Sequence, residues 1–144
     1  MSRDNVEFVR NGVEAFGRGE WDTIPDLFAE DVEWCDPPSL PGASLHRGRA
    51  AMRARWDELE EALSGFTVLP EAYFDAGDQV VVFLRTRGRG RASGIEIERC
   101  IAQLFTVRDG LVASVVGYDD RDRALADAGL NPESAQPERS LTKR

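Results

Sequence analysis

The sequence predicts an α+β domain in which three helices cover a curved antiparallel sheet and enclose a pocket. Three observations predict it. The chain has 144 residues, the size of one domain and enough to bury a core without disulfide or metal staples. Helical periodicity is concentrated before residue 64, with one more short stretch after residue 119. Strand-like runs rich in β-branched residues fill 66–118. The order ααβαββββ gathers the helices early and leaves a long meander, the pattern of helices segregated to one face of an antiparallel sheet.

Each element follows from local chemistry. In residues 4–17, Val6, Val9, Val13 and Phe16 recur at steps of three and four, one apolar stripe on a helix. Asp4 with Glu7 resembles a capping box. Asp22 is read as the cap of a second short helix with Ile24, Leu27 and Phe28, in which Pro25 is tolerated in the first turn. Asp31–Asp36 reads as a strand that stops at Pro37-Pro38, and a loop runs from there to Gly48. A third helix over 49–63 carries Met52, Trp56, Leu59 and Leu63, with Gly65 as its stop. Strands follow over 66–75, 79–87, 95–107 and 111–118. Arg108-Asp109-Gly110 is a hairpin-turn signal. Residues 120–128 read as a terminal helix. The domain is expected over 1–130. Residues 131–144, with two prolines and no aromatic, are expected to be a disordered tail.

Composition excludes several functions. With 18 Lys+Arg against 26 Asp+Glu, the net charge of −8 opposes a nucleic-acid role, which needs a basic face. The run Arg85, Arg87, Arg89, Arg91 is too short to reverse that. No apolar run approaches the roughly 18 residues of a membrane span. The first residues lead into no apolar segment, so no signal peptide is expected. Together with only two cysteines, Cys35 and Cys100, this makes the reducing cytoplasm the expected compartment. One His and two Cys leave no zinc-type ligand set. No metal or other cofactor is expected, and proton transfer falls to carboxylates.

The order of elements resembles the nuclear-transport-factor-2 (NTF2)-like superfamily, in its SnoaL-like and ketosteroid-isomerase-like branch. The carriers are Phe16-Gly17-Arg18-Gly19-Glu20-Trp21-Asp22, Leu27-Phe28-Ala29-Glu30-Asp31-Val32, His46-Arg47-Gly48-Arg49 and Arg108-Asp109-Gly110-Leu111-Val112. The resemblance covers about residues 3–129. It implies a cone-shaped fold with a small-molecule pocket and a homodimer through the helix-free sheet face. Counted from Gly19, the general-base Asp of the ketosteroid isomerases falls on Asp36-Pro37. The Tyr and the protonated Asp of their oxyanion hole fall near Gly12 and Ala102, where neither type is present. An Asp of the epoxide-hydrolase pattern falls on Gly117.

Three residues are candidates for chemistry. Asp36 is the first, because a carboxylate at a strand end facing an apolar cavity loses hydration and can shuttle protons near neutral pH. The plain alternative is a turn-forming Asp before two prolines. Asp119 and Asp120 follow the last strand; Asp120 is read as a helix cap and Asp119 as a pocket carboxylate. Arg85 shares strand parity with Val81 and Phe83, a face the resemblance makes a pocket wall, where it would pair with Asp36, Asp119 or a ligand. The same counting puts Glu98 and Cys100 in the pocket, an assignment that a bulge would reverse. Val115 and Tyr118 of the last strand complete that wall. Trp34 and Trp56 are candidates for stacking on a ring, or core. His46 is a candidate proton shuttle or a loop residue. These residues fit an isomerase, cyclase or dehydratase acting on a small apolar or cyclic molecule. They also fit a non-catalytic ligand-binding module, or a dimerising domain whose cavity is filled by Trp side chains.

Overall fold

The computed structural model describes residues 2–138. Helix α1 (Ser2–Gly17) leads through a 3-10 turn (Ile24–Leu27) to strands β1 (Phe28–Cys35) and β2 (Leu45–Arg47). Then follow α2 (Arg49–Ala62), β3 (Leu63–Ala76), β4 (Gln79–Gly90), β5 (Glu96–Arg108), β6 (Leu111–Tyr118) and α3 (Arg121–Asp127). The α+β expectation holds. The sheet is curved and unclosed, with strand order β2-β1-β6-β5-β4-β3. It is mixed rather than antiparallel throughout, because β1 pairs parallel with β6.

Local details differ from the expectation where competing contacts win. The second helix is only a four-residue 3-10 turn, and its N-cap position is Thr23. Asp22 instead pairs with Arg53 of α2 at 2.9 Å. Helix α2 ends at Ala62, and Leu63 is already extended. Gly65, with φ +65°, sits at a bulge in β3 rather than stopping the helix. The loop after Pro37-Pro38 holds a strand that its composition concealed: β2 is three residues long and sets His46 opposite Trp34. The Asp109-Gly110 hairpin is as expected, both residues having positive φ.

The sheet buries apolar residues on both faces. On the inner face, Val80, Val82, Leu84, Ile101, Phe105 and Val115 pack against Val6, Val9 and Val13 of α1 and Met52 and Trp56 of α2. On the outer face, Phe74, Val81, Ala102 and Leu104 pack against Ala124 and Leu125 of α3, with Leu130 and Ala135 at the margin. Asp120 caps α3 as expected, accepting from the backbone N–H of Asp122 and Arg123. Thus α3 and the chain after it occupy the apolar part of the face where the resemblance places a dimer contact. The expected tail begins on that face, and the N–H of Glu138 donates to the carbonyl of Tyr73 on the edge strand. Beyond residue 138 the expected tail lies outside the described residues.

Candidate functional site

The pocket opens between α1, α2 and the inner face of the sheet. Its walls include Phe8, Val13, Phe16, Phe28, Trp34, Trp56, Phe66 and Phe105, with about 80 Å³ of free space between them. That is about half of the roughly 150 Å³ apolar cavity that holds a benzene molecule. Polar groups on the wall are few: Asp36, Arg99, Gln103, Thr86 and Cys35.

Asp36 stands where β1 ends, because Pro37 has no N–H to continue the ladder. Its side chain is 1% exposed. Oδ1 accepts from Trp34 Nε1 at 3.2 Å. Oδ2 accepts from the N–H of Ser44 at 3.3 Å and lies 3.0 Å from His46 Nε2. Arg55 Nε lies 3.1 Å from the same oxygen as an ion pair, and its guanidinium is 8% exposed. The remaining Arg55 nitrogens donate to the carbonyl of Pro41 at 2.9 Å and to Glu58 at 3.1 Å. One buried carboxylate therefore ties together β1, β2, α2 and the loop between the two strands.

His46 does not line the pocket. It stands behind Asp36, partly open to solvent, with Ser44 Oγ 3.2 Å from its Nε2. Cys35 does line the pocket. Burial, then the charges of Asp36 and Glu33, push its thiol above the ordinary value. It stays protonated at neutral pH and is a poor nucleophile.

The structure reverses several expected positions. Arg85 and Phe83 lie on the outer face. Val80, Val82 and Leu84 are the residues of β4 that pack inward. Both sets are apolar enough to be buried, so alternation alone did not choose between them. Arg85 pairs with Glu71 at 2.9 Å and Glu98 at 3.6 Å, far from any role beside Asp36. Glu98 and Cys100 follow Arg85 outward, since Arg85 pairs with Cys100 and Arg87 with Glu98 in register. Arg99, Ile101, Gln103 and Phe105 face the pocket in their place. A register shift in β6 accounts for Tyr118: Thr106 pairs with Ser114 but Val107 with Val112, which leaves Ala113 as the extra residue. Val115 then points into the inner core, though not onto the pocket wall, and Tyr118 points outward. Its hydroxyl donates to Asp127 at 2.7 Å, and burial together with that bond pushes the phenol up to about 12.

Asp119 is exposed and serves the loop. It accepts from the N–H of Ser39 at 2.9 Å and from Ser39 Oγ at 2.5 Å. Ser39 Oγ in turn accepts from Arg99 at 2.8 Å. This chain of bonds holds Pro37 and Leu40 against the pocket. Pro37 also lies directly on Gly117, where an added Cβ would come within 2.5 Å of its Cδ.

Arg55 is a site residue outside the expected set. The signal was present: Met52, Arg55, Trp56 and Leu59 share one helical face. A lone Arg in an apolar stripe implies a buried anion, which here is Asp36.

Three helices on a curved mixed sheet, with an apolar pocket at one end, define an NTF2-like fold. A Burkholderia xenovorans NTF2-like protein is similar at 32% identity, covering 88% of this chain and 95% of that one, with a TM-score of 0.69. The chain belongs to the SnoaL-like domain family, whose profile matches residues 9–115. A Catenulispora acidiphila protein with a ketosteroid-isomerase-like fold, solved with trimethylamine, matches at 20% identity over 89% of this chain and 96% of that one, TM-score 0.69. A proposed SnoaL-like polyketide cyclase from Mesorhizobium loti matches at 21% identity over 78% and 96%, TM-score 0.64. No curated protein matches the chain. No helix among the described residues is long and apolar enough to cross a membrane.

Proposed function

We propose that this protein is a cofactor-free acid–base enzyme acting on a small, mostly apolar, ring-sized molecule, with Asp36 as the proton-bearing group. The observation that carries the reading is Asp36 itself, the sole carboxylate among the described residues on a pocket wall that is mostly aromatic and aliphatic. Its other face meets His46, which reaches solvent. Asp36 would take a proton from a substrate carbon, leaving the electron pair on the substrate. Returning that proton at a second carbon completes an isomerisation; passing it instead to a departing hydroxyl group, whose C–O bond breaks as the carbon–carbon double bond forms, releases water and completes a dehydration. His46 would exchange the Asp36 proton with water, and Arg55 would hold the carboxylate in place between turnovers. The free space of about 80 Å³ is too small for a fused polycycle.

The test is deuterium uptake in D2O, followed by proton NMR on small cyclic ketones and lactones. Wild-type protein is expected to accelerate exchange at carbon, and Asp36→Asn to lose about 10²-fold or more. Exchange unchanged in Asp36→Asn would overturn the assignment. Ligand binding without any exchange would favour a second reading, a ligand-binding module without chemistry. Two observations support that second reading: Gly12, near which the resemblance places one oxyanion residue of the isomerases, has no side chain to donate, and Ala102, near which it places the other, faces away from the pocket.

A further inference from the structure

Trp56 is fully buried, at 0% exposure. Its ring is braced on several sides: Phe16 meets it edge-on at 5.0 Å, Trp34 at 5.6 Å and Phe28 at 5.9 Å. The ring also lines the pocket. The other two indoles have their N–H groups satisfied, Trp21 by the carbonyl of Phe16 at 2.9 Å and Trp34 by Asp36. Trp56 Nε1 has no hydrogen-bond partner among the described residues.

A buried donor without an acceptor is disfavoured by its full desolvation cost. Phe in the same place would keep the ring stacking without that cost. An indole on a pocket wall with its N–H unanswered fits a ligand that brings the acceptor. We propose that Trp56 Nε1–H is the polar anchor of the pocket, and that the ligand carries a neutral acceptor oxygen set against it. A neutral oxygen is favoured over an anion because an indole N–H brings no charge, the buried guanidinium of Arg55 is committed to Asp36, and that of Arg99 on the wall donates to Ser39 Oγ. With aromatic walls and little free space, the ligand class is a single-ring ketone, lactone or cyclic ether. This rests on the pocket being the functional site, but not on Asp36 performing chemistry.

The experiment uses full-length protein labelled with ¹⁵N in its three tryptophan indoles, titrated with cyclopentanone and, separately, with methylenecyclopentane. The two probes share a shape and differ in the acceptor. The indole signal missing from Trp56→Phe identifies Trp56. That signal is expected to move downfield with cyclopentanone and to stay close to its free position with methylenecyclopentane. Trp56→Phe is expected to weaken cyclopentanone about tenfold and leave methylenecyclopentane nearly unchanged, the loss of one hydrogen bond. Cyclopentanone binding that leaves the Trp56 signal in place would overturn the proposal. So would equal weakening of both probes, or no binding of cyclopentanone at all. Failure of Asp36 as a base appears separately, as deuterium uptake that is absent in the wild type or unchanged in Asp36→Asn, with these binding shifts intact.

Discussion

Replacing Arg55 by Met removes the countercharge from a carboxylate that water scarcely reaches. At 3.1 Å the Coulomb attraction is about 5 kcal/mol with an effective dielectric of about 20. Trp34, Ser44 and His46 still surround the carboxylate, which places the loss at the low end of that for breaking a buried pair, about 3 kcal/mol. Loss of the bond to the Pro41 carbonyl adds about 1 kcal/mol. The expected total is about 4 kcal/mol, or a fall in Tm of about 12 °C for a domain of this size. In an Asp36→Asn background the same replacement is expected to cost only about 1 kcal/mol, because no charge is orphaned. Urea titration of the four proteins, analysed as a double-mutant cycle, reads the difference. A cost below 1 kcal/mol for Arg55→Met alone, or equal costs in the two backgrounds, would refute the reasoning.

Other perturbations reach other parts of the fold. Gly117→Ala drives a Cβ into Pro37, with 2.5 Å to Cδ and 2.7 Å to the backbone nitrogen. A destabilisation of about 1–3 kcal/mol is expected, with faster proteolysis of the 37–44 loop as its local signature. Asp120→Ala removes the acceptor for two backbone N–H groups at the start of α3. It is expected to cost about 1 kcal/mol and to raise hydrogen exchange in α3 before the strands beneath it. Tyr118 is held up to about 12 by burial and by Asp127, so its phenol ionises at lower pH in the unfolded chain than in the folded one. Its contribution is complete below pH 10 and is lost as pH rises from about 10 to about 12. Burial holds the Tyr73 phenol up as well, so absorbance near 295 nm should show almost no tyrosinate at pH 10.5 while the fold persists, and Tyr118→Phe should lessen, without abolishing, the stability loss in that window.

Much of the fold was legible because its signals are local. The Val6, Val9, Val13 stripe, the Asp109-Gly110 turn and the Asp120 cap each depend on residues close in sequence. Asp36 was legible for the same reason, since Pro37 marks where β1 must stop. What failed depended on side rather than identity. Arg85, Glu98 and Cys100 face away from their expected side because β4 and β5 bury apolar residues on both sides, one covered by α1 and the other by α3. The α3 cover itself was foreseeable only as a helix, not as a lid over Val81 and Leu104. The short strand around His46 lay in a segment rich in Pro, Ser and Gly. It exists through pairing with β1, which no propensity of its three residues announces.

Ala113 is a residue that β6 can lose without changing which side chains face the pocket. With one surplus residue in the strand, simple alternation counted from Val112 misplaces every later side chain. Excising it would leave Val112 opposite Val107 and Ser114 opposite Thr106, so Val115 would stay inward, Tyr118 outward and Gly117 under Pro37. A deletion at this one position, leaving the hairpin and α3 intact, would therefore straighten the strand and preserve the cavity wall. Relatives one residue shorter between Gly110 and Tyr118 would then keep similar walls behind shifted numbering, and alignments should place the gap at this bulge before pocket residues are compared.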